Sequence, residues 1–494
     1  MIYPAIIVPW LIALGLRLLP HLLISGDIGV DHWFWKTYIE TYRRERQFPP
    51  VLPRYVYDEQ QWYPPLFPLL LIHLPPRFFE RYSQVISIIV DLLRMALLQG
   101  ATYGLCQGNA YAVFVAGLVY ATSAILISYN MQLNPRVLAA LFLDGAILLF
   151  MWVYLFNGSA WLLPLIVLLS GLILLTHKMT TQILWFYCLG GAMVTFDWRF
   201  LALIPLSIMT ALVLSRGFYW KVLKAHGEIV AFWHRNWPLM GVNPLKESPI
   251  YGLPGYSSPT KRFKPGTVNA LRRLVVLAGH SPWAVGALLV LGFMGMTGGI
   301  SRAPEVFTAV WLMLSVLLAF LTISIRWLRG IGLGNLYLFN AAFPAALMLA
   351  WFTQHQEYSW ISGPMLILFL LPNIYSLYRF IIVMKAHPGL KLPEEIIRGI
   401  EGYQGGTWIT YPNDLCEHIA YLANKSVLWG AHGYGLKRLE EIFPVLRVDF
   451  PFLKQKYDLK YILIHETYLD DIKRANIQVE LKLANQNYYV FQLL

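Results

Sequence analysis

GDIGVDHWFWKTYIETYRRERQFPPVLPRYVYDEQQWYPPLFP, residues 26–68, is the stretch on which the fold turns. It lies between two apolar segments and holds acids near both ends, Asp27 and Asp31, then Asp58 and Glu59. Trp33, Phe34, Trp35, Trp62 and Tyr63 flank those acids. The rest of the chain makes such a loop unusual. Of its 494 residues 57% are hydrophobic and only 13% charged, with a mean hydropathy of +0.52, far from a soluble average. Apolar runs of about 17–25 residues, the length that crosses a hydrocarbon core, recur through most of it. The class is therefore a multi-spanning α-helical membrane protein, and the 26–68 stretch is its first polar loop.

Outward from that loop, the first span covers residues 2–24 and contains Arg17 one turn before His21. A buried arginine is costly in lipid, so Arg17 faces the protein interior and needs a partner or a ligand. On the far side, PPLFPLLLIHLPP (64–76) is too short to span and reads as an interfacial or re-entrant helix. Further spans are expected over 82–106, 110–128, 137–156, 159–176, 183–195, 200–215, 283–298, 306–325, 336–352 and 361–384, a total of about eleven. Asp91 and Arg94 lie three apart, on one helix face, and read as an intrahelical pair. Asp144 has no local partner, so it points to Arg17 or Arg94 across helices. The first segment lacks a basic n-region and a clear small-residue cleavage site and reads as a retained anchor.

Three polar breaks interrupt the apolar pattern: YNMQLNPR (129–136), THKMTTQ (176–182) and the long stretch 216–282. The last opens with FYWKVLKAHGEIVAFWHRNW, an aromatic and basic pattern that suits a helix lying in the interface. A Pro-, Gly- and Ser-rich part with Lys261, Arg262 and Lys264 follows, read as a substrate-covering loop. With 64–76 as a surface segment, the first loop and all three breaks fall on one membrane face. From residue 385 charge density rises and apolar runs shorten to strand length (SVLW, YILIHE, IQVELKLA, YYVFQLL), with NDLCEHIAYLANK helical between them. Residues 385–494 therefore form a small α/β domain behind a membrane domain of residues 1–384. GAHGYG (430–435) is too loose for a nucleotide fingerprint. The net charge of +12 fits contact with anionic lipids and phosphates, and no basic soluble module suggests nucleic acid. Three cysteines, Cys106 and Cys188 among them in apolar segments, make no disulfide framework or Cys-based zinc site.

The chain resembles the GT-C superfamily of glycosyltransferases, which use polyprenyl-phosphate sugars. The resemblance rests on a first span followed by a long loop with an early acid and aromatics, Asp31-His32-Trp33-Phe34-Trp35, with Asp27 just before. The loop closes on YPPLFPLLL (63–71), and the THK break looks like the loop that approaches the donor phosphate in such enzymes. The chain lacks the adjacent Asp-Glu pair of protein mannosyltransferases at that position, where its own pair is later, at Asp58–Glu59. It also lacks a WWDYG-type motif of oligosaccharyltransferases. The resemblance implies a hexosyl- or pentosyltransferase that works with a polyprenyl-phosphate-linked donor and a glycan, lipid or protein acceptor. It further implies a multi-pass protein of the cell membrane, expected to be a prokaryotic plasma membrane, with the C-terminal domain extracytoplasmic.

Such a transfer needs a carboxylate to take the acceptor's proton and positive charge at the departing phosphate. Asp31 and Asp27 are the candidates for the base, against a helix-capping or turn role. Lys178, His177 and Arg136 are the candidates for the phosphate, with Arg54 and the Lys261–Lys264 cluster behind them, against a role at lipid headgroups. Asp58, Glu59, Trp62 and Tyr63 are expected to line a sugar site, with an aromatic belt as the alternative for the rings. Asp27, Asp31 and Asp58 could alternatively hold a divalent cation, Mg or Mn, although their spacing carries no metal-specific pattern. The competing classes are a transporter or flippase of lipid-linked glycans, which would show paired internal repeats that are not seen here, and a polymerase or ligase of such glycans.

Overall fold

In the computed structural model, which describes residues 2–24, 29, 31–57, 60–236, 270–332, 334–386, 392–413, 415–430, 436–443, 447–469, 477–485 and 487–494, the apolar segments are helices that run back and forth. Helices α1 (Ile2–Leu23), α2 (Asp31–Glu45), α3 (Leu66–Leu71) and α4 (Pro76–Tyr82) come first. They are followed by α5 (Val85–Leu105), α6 (Ala110–Ala121), α7 (Ala124–Asn130) and α8 (Arg136–Leu155). Then come α9 (Leu163–Leu174), α10 (Lys178–Thr195), α11 (Arg199–Leu214) and α12 (Tyr219–Asn236). Four apolar helices complete the membrane region: Pro282–Met296, Ala303–Ser324, Gly334–Gln354 and Ser359–Ala386.

Among the described residues six helices are long and apolar enough to cross a membrane, and up to eight if each of two bent pairs is one span. The bends are 53° between α6 and α7 and 118° between Leu274–His280 and Pro282–Met296. The sequence estimate of about eleven is higher because it also counted α9, α10 and α11. Of these α9 and α11 are only 12 and 16 residues long. The 64–76 segment is not a span: α3 has six residues, about 9 Å of helix, and its chain is turned by flanking prolines.

Charges buried among the helices are paired: Asp144 across helices with Arg94, as its lack of a local partner suggests, but Asp91 and Arg94 not with each other. Arg17 Nε donates to Asp91, whose other oxygen accepts from the Tyr120 hydroxyl at 2.7 Å. Arg94 Nε donates to Asp144. The expected Asp91–Arg94 pair within α5 is thus split: each residue reaches across to another helix, so the charges tie α1, α5, α6 and α8 together instead of neutralising one another locally. Arg17 also donates through Nη1 to the Ala121 carbonyl at 3.0 Å, which satisfies a backbone acceptor at the break after α6. The structural reading of Arg17 is the one its contacts support.

The C-terminal part forms a mixed five-stranded sheet. Its strands are β1 (Thr407–Tyr411), β2 (Ser426–Val427), β3 (Leu459–His465), β4 (Val479–Asn485) and β5 (Tyr488–Leu493), in the order β2-β1-β3-β5-β4. Strand β1 is parallel to both neighbours and wholly buried, whereas β3, β5 and β4 pair antiparallel. The first loop docks on this sheet. Val56 and Tyr57 donate their amides to the Val427 and Leu428 carbonyls at 3.0 and 2.9 Å, and Val427 returns a bond to Arg54 O at 2.7 Å. Helix α2 lies on Leu415–Leu422, with the Trp33 ring 5.2 Å from His418 and 5.4 Å from Tyr421. Trp35, Tyr38, Tyr63 and Phe67 fill the interior of the loop, so most of its aromatics are its own core.

Candidate functional site

The site is assembled where several helices begin. Asp31 is the first residue of α2, Arg136 of α8 and Lys178 of α10, and Tyr337 lies in the first turn of Gly334–Gln354. Each helix start carries partial positive charge from its unpaired amides, so their convergence favours an anion before any side chain is counted. Local sequence sets each start. Pro135 precedes α8, and Asn134 Oδ1 accepts the Arg136 amide at 2.8 Å. His177 caps α10: its Nδ1 lies 3.3 Å from the donating Thr180 amide and 2.9 Å from the Thr180 hydroxyl. Gly29, at φ +89°, turns the chain into α2, and a Cβ there would meet the Gln132 side-chain oxygen at 2.1 Å. The 129–136 break therefore packs directly on the entry to the Asp31 helix.

The Asp31 carboxylate, half-buried, acts electrostatically on Arg136, Lys178 and Tyr63. Arg136 in turn acts on Tyr63, Tyr129 and Tyr337, and Lys178 acts on His226. These side chains form one cluster from the first loop, the 129–136 and 176–182 breaks, α12 and Gly334–Gln354. Arg136 is only 8% exposed, and among the described residues its Nε and Nη1 have no hydrogen-bond partner. Burial, then the Asp31 charge, hold the Tyr63 phenol well above its usual range, so it remains a donor. Burial and the neighbouring Lys178 charge push His226 down to about 4, which keeps it neutral. His226 Nε2 lies 2.8 Å from Gln182 Nε2, whose side-chain oxygen accepts from the Tyr337 hydroxyl at 2.6 Å.

The residues singled out from the sequence divide into three groups. Asp31, Arg136, Lys178 and Tyr63 come together in this cluster, and His177 adjoins it as the cap of α10. Arg54 is placed apart: its Nη1 donates to the Ala420 carbonyl at 3.0 Å, so it fastens the loop to the C-terminal sheet region. Trp62 packs on α12, its ring 4.7 Å from Lys221 Nζ and 6.0 Å from Phe218. Asp27, Asp58, Glu59 and the Lys261–Lys264 cluster lie outside the described residues. Among the described residues no three His, Cys, Asp or Glu side chains form a group able to hold a metal ion.

Tyr129, Gln182, His226 and Tyr337 were not foreseen. Tyr129 and Gln182 sit at the edges of polar breaks, which is a usable signal; His226 and Tyr337 lie inside regular helical patterns and carry none. Farther along the helices, away from Lys178, an apolar cavity of about 360 Å³ opens between α8, α10, α11 and Ala303–Ser324; its lining on α10 runs from Leu184 to Thr195 and includes Tyr187, with Phe150 of α8 and Trp311 opposite.

No protein-family model and no curated protein sequence matches the chain. Solved structures do. ArnT from Cupriavidus metallidurans bound to undecaprenyl phosphate superposes with a TM-score of 0.58 at 11% identity, covering 98% of this chain and 97% of that one. The archaeal oligosaccharyltransferase AglB from Archaeoglobus fulgidus, in complex with an inhibitory peptide and a dolichol-phosphate, gives 0.58 at 13% identity over 94% of this chain and 69% of that one. At these identities the likeness is one of fold: the chain shares with these proteins a multi-helix membrane region, and it carries a small C-terminal sheet domain.

Proposed function

We propose that this protein is a glycosyltransferase that moves a sugar from a polyprenyl-phosphate donor to an acceptor hydroxyl. The observation that carries the reading is a carboxylate, Asp31, set against two cations, Arg136 and Lys178, where helix starts converge. Lys178 and Arg136 take the donor phosphate, and the apolar cavity farther along α8 and α10 accommodates a distal part of the prenyl chain. The similar structures hold undecaprenyl phosphate and a dolichol-phosphate, both a phosphate on a prenyl chain, which supports that choice of donor.

In the reaction, Asp31 accepts the proton of the acceptor hydroxyl as its oxygen attacks the anomeric carbon. The bond from that carbon to the phosphate oxygen breaks, and its electron pair leaves with the phosphate. The added negative charge there is met by Arg136 and Lys178. A leaving group that is already a phosphate needs no general acid, so one carboxylate suffices, and a single displacement inverts the anomeric centre. Tyr63, kept protonated, is suited to donate to a sugar or phosphate oxygen. Residues 1–384 carry this chemistry; the 385–494 domain and the first loop stand together on the extracytoplasmic face of the cell membrane and present the acceptor, a glycan, lipid or protein.

The test is Asp31→Asn, which keeps size and removes the base. It is expected to lower transfer from a polyprenyl-phosphate sugar by about 10²–10⁴-fold while binding of undecaprenyl phosphate persists. Undiminished transfer would refute Asp31 as the base, and movement of label across vesicles without new glycosidic bonds would refute the enzyme reading in favour of a transporter.

A further inference from the structure

Arg136 presents a problem of its own. A guanidinium that is 8% exposed, with Nε and Nη1 unpaired among the described residues, has few hydrogen bonds to fix its direction. The Asp31 carboxylate and the nearby phenols act on it through space, and two of its neighbours supply ring faces. The guanidinium carbon lies 4.7 Å from the centroid of the Tyr129 ring and 5.9 Å from that of Phe339. The two rings meet edge to face, at 6.4 Å and 85°, so together they make a corner. Phe339 is itself anchored from below. Arg94 stands over its ring at 5.1 Å, donates to its carbonyl at 3.5 Å, and is held in turn by Asp144. Ring faces attract the cation without using any of its N–H donors.

We propose that Tyr129 and Phe339 are positioning residues that hold Arg136 by its face, so that its donors stay unspent for two oxygens of one phosphate. This rests on the reading of the site as a donor-phosphate site. Arginine is the residue type this arrangement requires, because only a planar guanidinium is gripped on a face while its N–H groups stay free to grip a phosphate. The anchoring through Arg94 and Asp144 makes the corner rigid before any ligand arrives, which lowers the ordering cost of binding.

The test is a double-mutant cycle on binding of undecaprenyl phosphate to the purified full chain, with undecaprenol as the control that lacks the phosphate. Tyr129→Leu is expected to weaken the phosphate-specific affinity about tenfold, and Tyr129→Phe to restore it, since the face and not the hydroxyl is used. In an Arg136→Ala background Tyr129→Leu should cause no further loss. Phe339→Leu repeats the cycle from the second ring, so a folding failure of one variant leaves the other to decide. Equal losses with and without Arg136, or no loss at all, would overturn the clamp. Wild-type protein that binds the alcohol as well as the phosphate would instead overturn the phosphate reading beneath it.

Discussion

At the scale of single residues, Gly29 and Asp144 matter for opposite reasons. Gly29 occupies φ +89° and meets Gln132 where a Cβ would stand, so Gly29→Ala combines backbone strain with a side-chain collision. The strain alone costs about 1–2 kcal/mol, and the collision moves the start of α2, which carries Asp31. Transfer activity should therefore fall more steeply than the melting temperature; an active, fully stable variant would show that the turn does not position Asp31. Asp144 works inside the helical bundle, where Arg94 depends on it. Asp144→Asn leaves a guanidinium buried without its counter-charge, a loss of about 3–5 kcal/mol. Replacing both partners, as Arg94→Leu with Asp144→Leu, should recover much of that stability in a thermal melt, and no recovery would mean that the pair does more than neutralise itself.

Among the elements, α12 couples the site to pH. Its amphipathic pattern was readable from the sequence, but the burial of His226 beside Lys178 on the inward face was not. His226 is held near 4, below the usual imidazole value of 6.5, so the unfolded chain takes up this proton first as the medium is acidified. The stability this neutral histidine contributes is complete above about 6.5, is lost as pH falls through that window towards about 4, and does not change further below it. His226→Gln keeps a partner for Gln182 and removes the titration. The difference in melting temperature between wild type and His226→Gln should therefore vary across this window and be flat above it. A difference independent of pH would mean that the proton never reaches the imidazole during unfolding.

For the molecule as a whole, what could be read in advance followed from signals that act locally. Apolar length marked the helices, and the prolines around 64–76 marked a segment too short to cross. The polar breaks marked Arg136 and Lys178, because a cation at a helix start beside a loop is visible in one dimension. One pairing across helices was legible, because Asp144 has no local partner and Arg94 answers it; the parting of Asp91 and Arg94 was not, since they share a face of α5 and only the packed bundle decides that each prefers a partner elsewhere. Strand β1 was missed although TWITY is β-branched and aromatic between Gly406 and Pro412, since its continuous burial hides the alternation that marks a strand. Nor did spacing disclose that the first loop, some 370 residues away in sequence, joins the edge of that sheet through Tyr55 and Val427. This junction makes a testable unit of the loop and the domain. Amides of Val56, Tyr57 and Val427 bridge the two, so in hydrogen exchange they should open together with the sheet core and not with the helices of the membrane region. Val56→Pro removes the donor to the Val427 carbonyl. It should raise exchange at Tyr57 and Val427 alike while α5 and α8 keep their protection. Faster exchange confined to the loop would show the contact to be incidental; faster exchange on both sides would show that the wall carrying Asp31 is held in place by the C-terminal sheet.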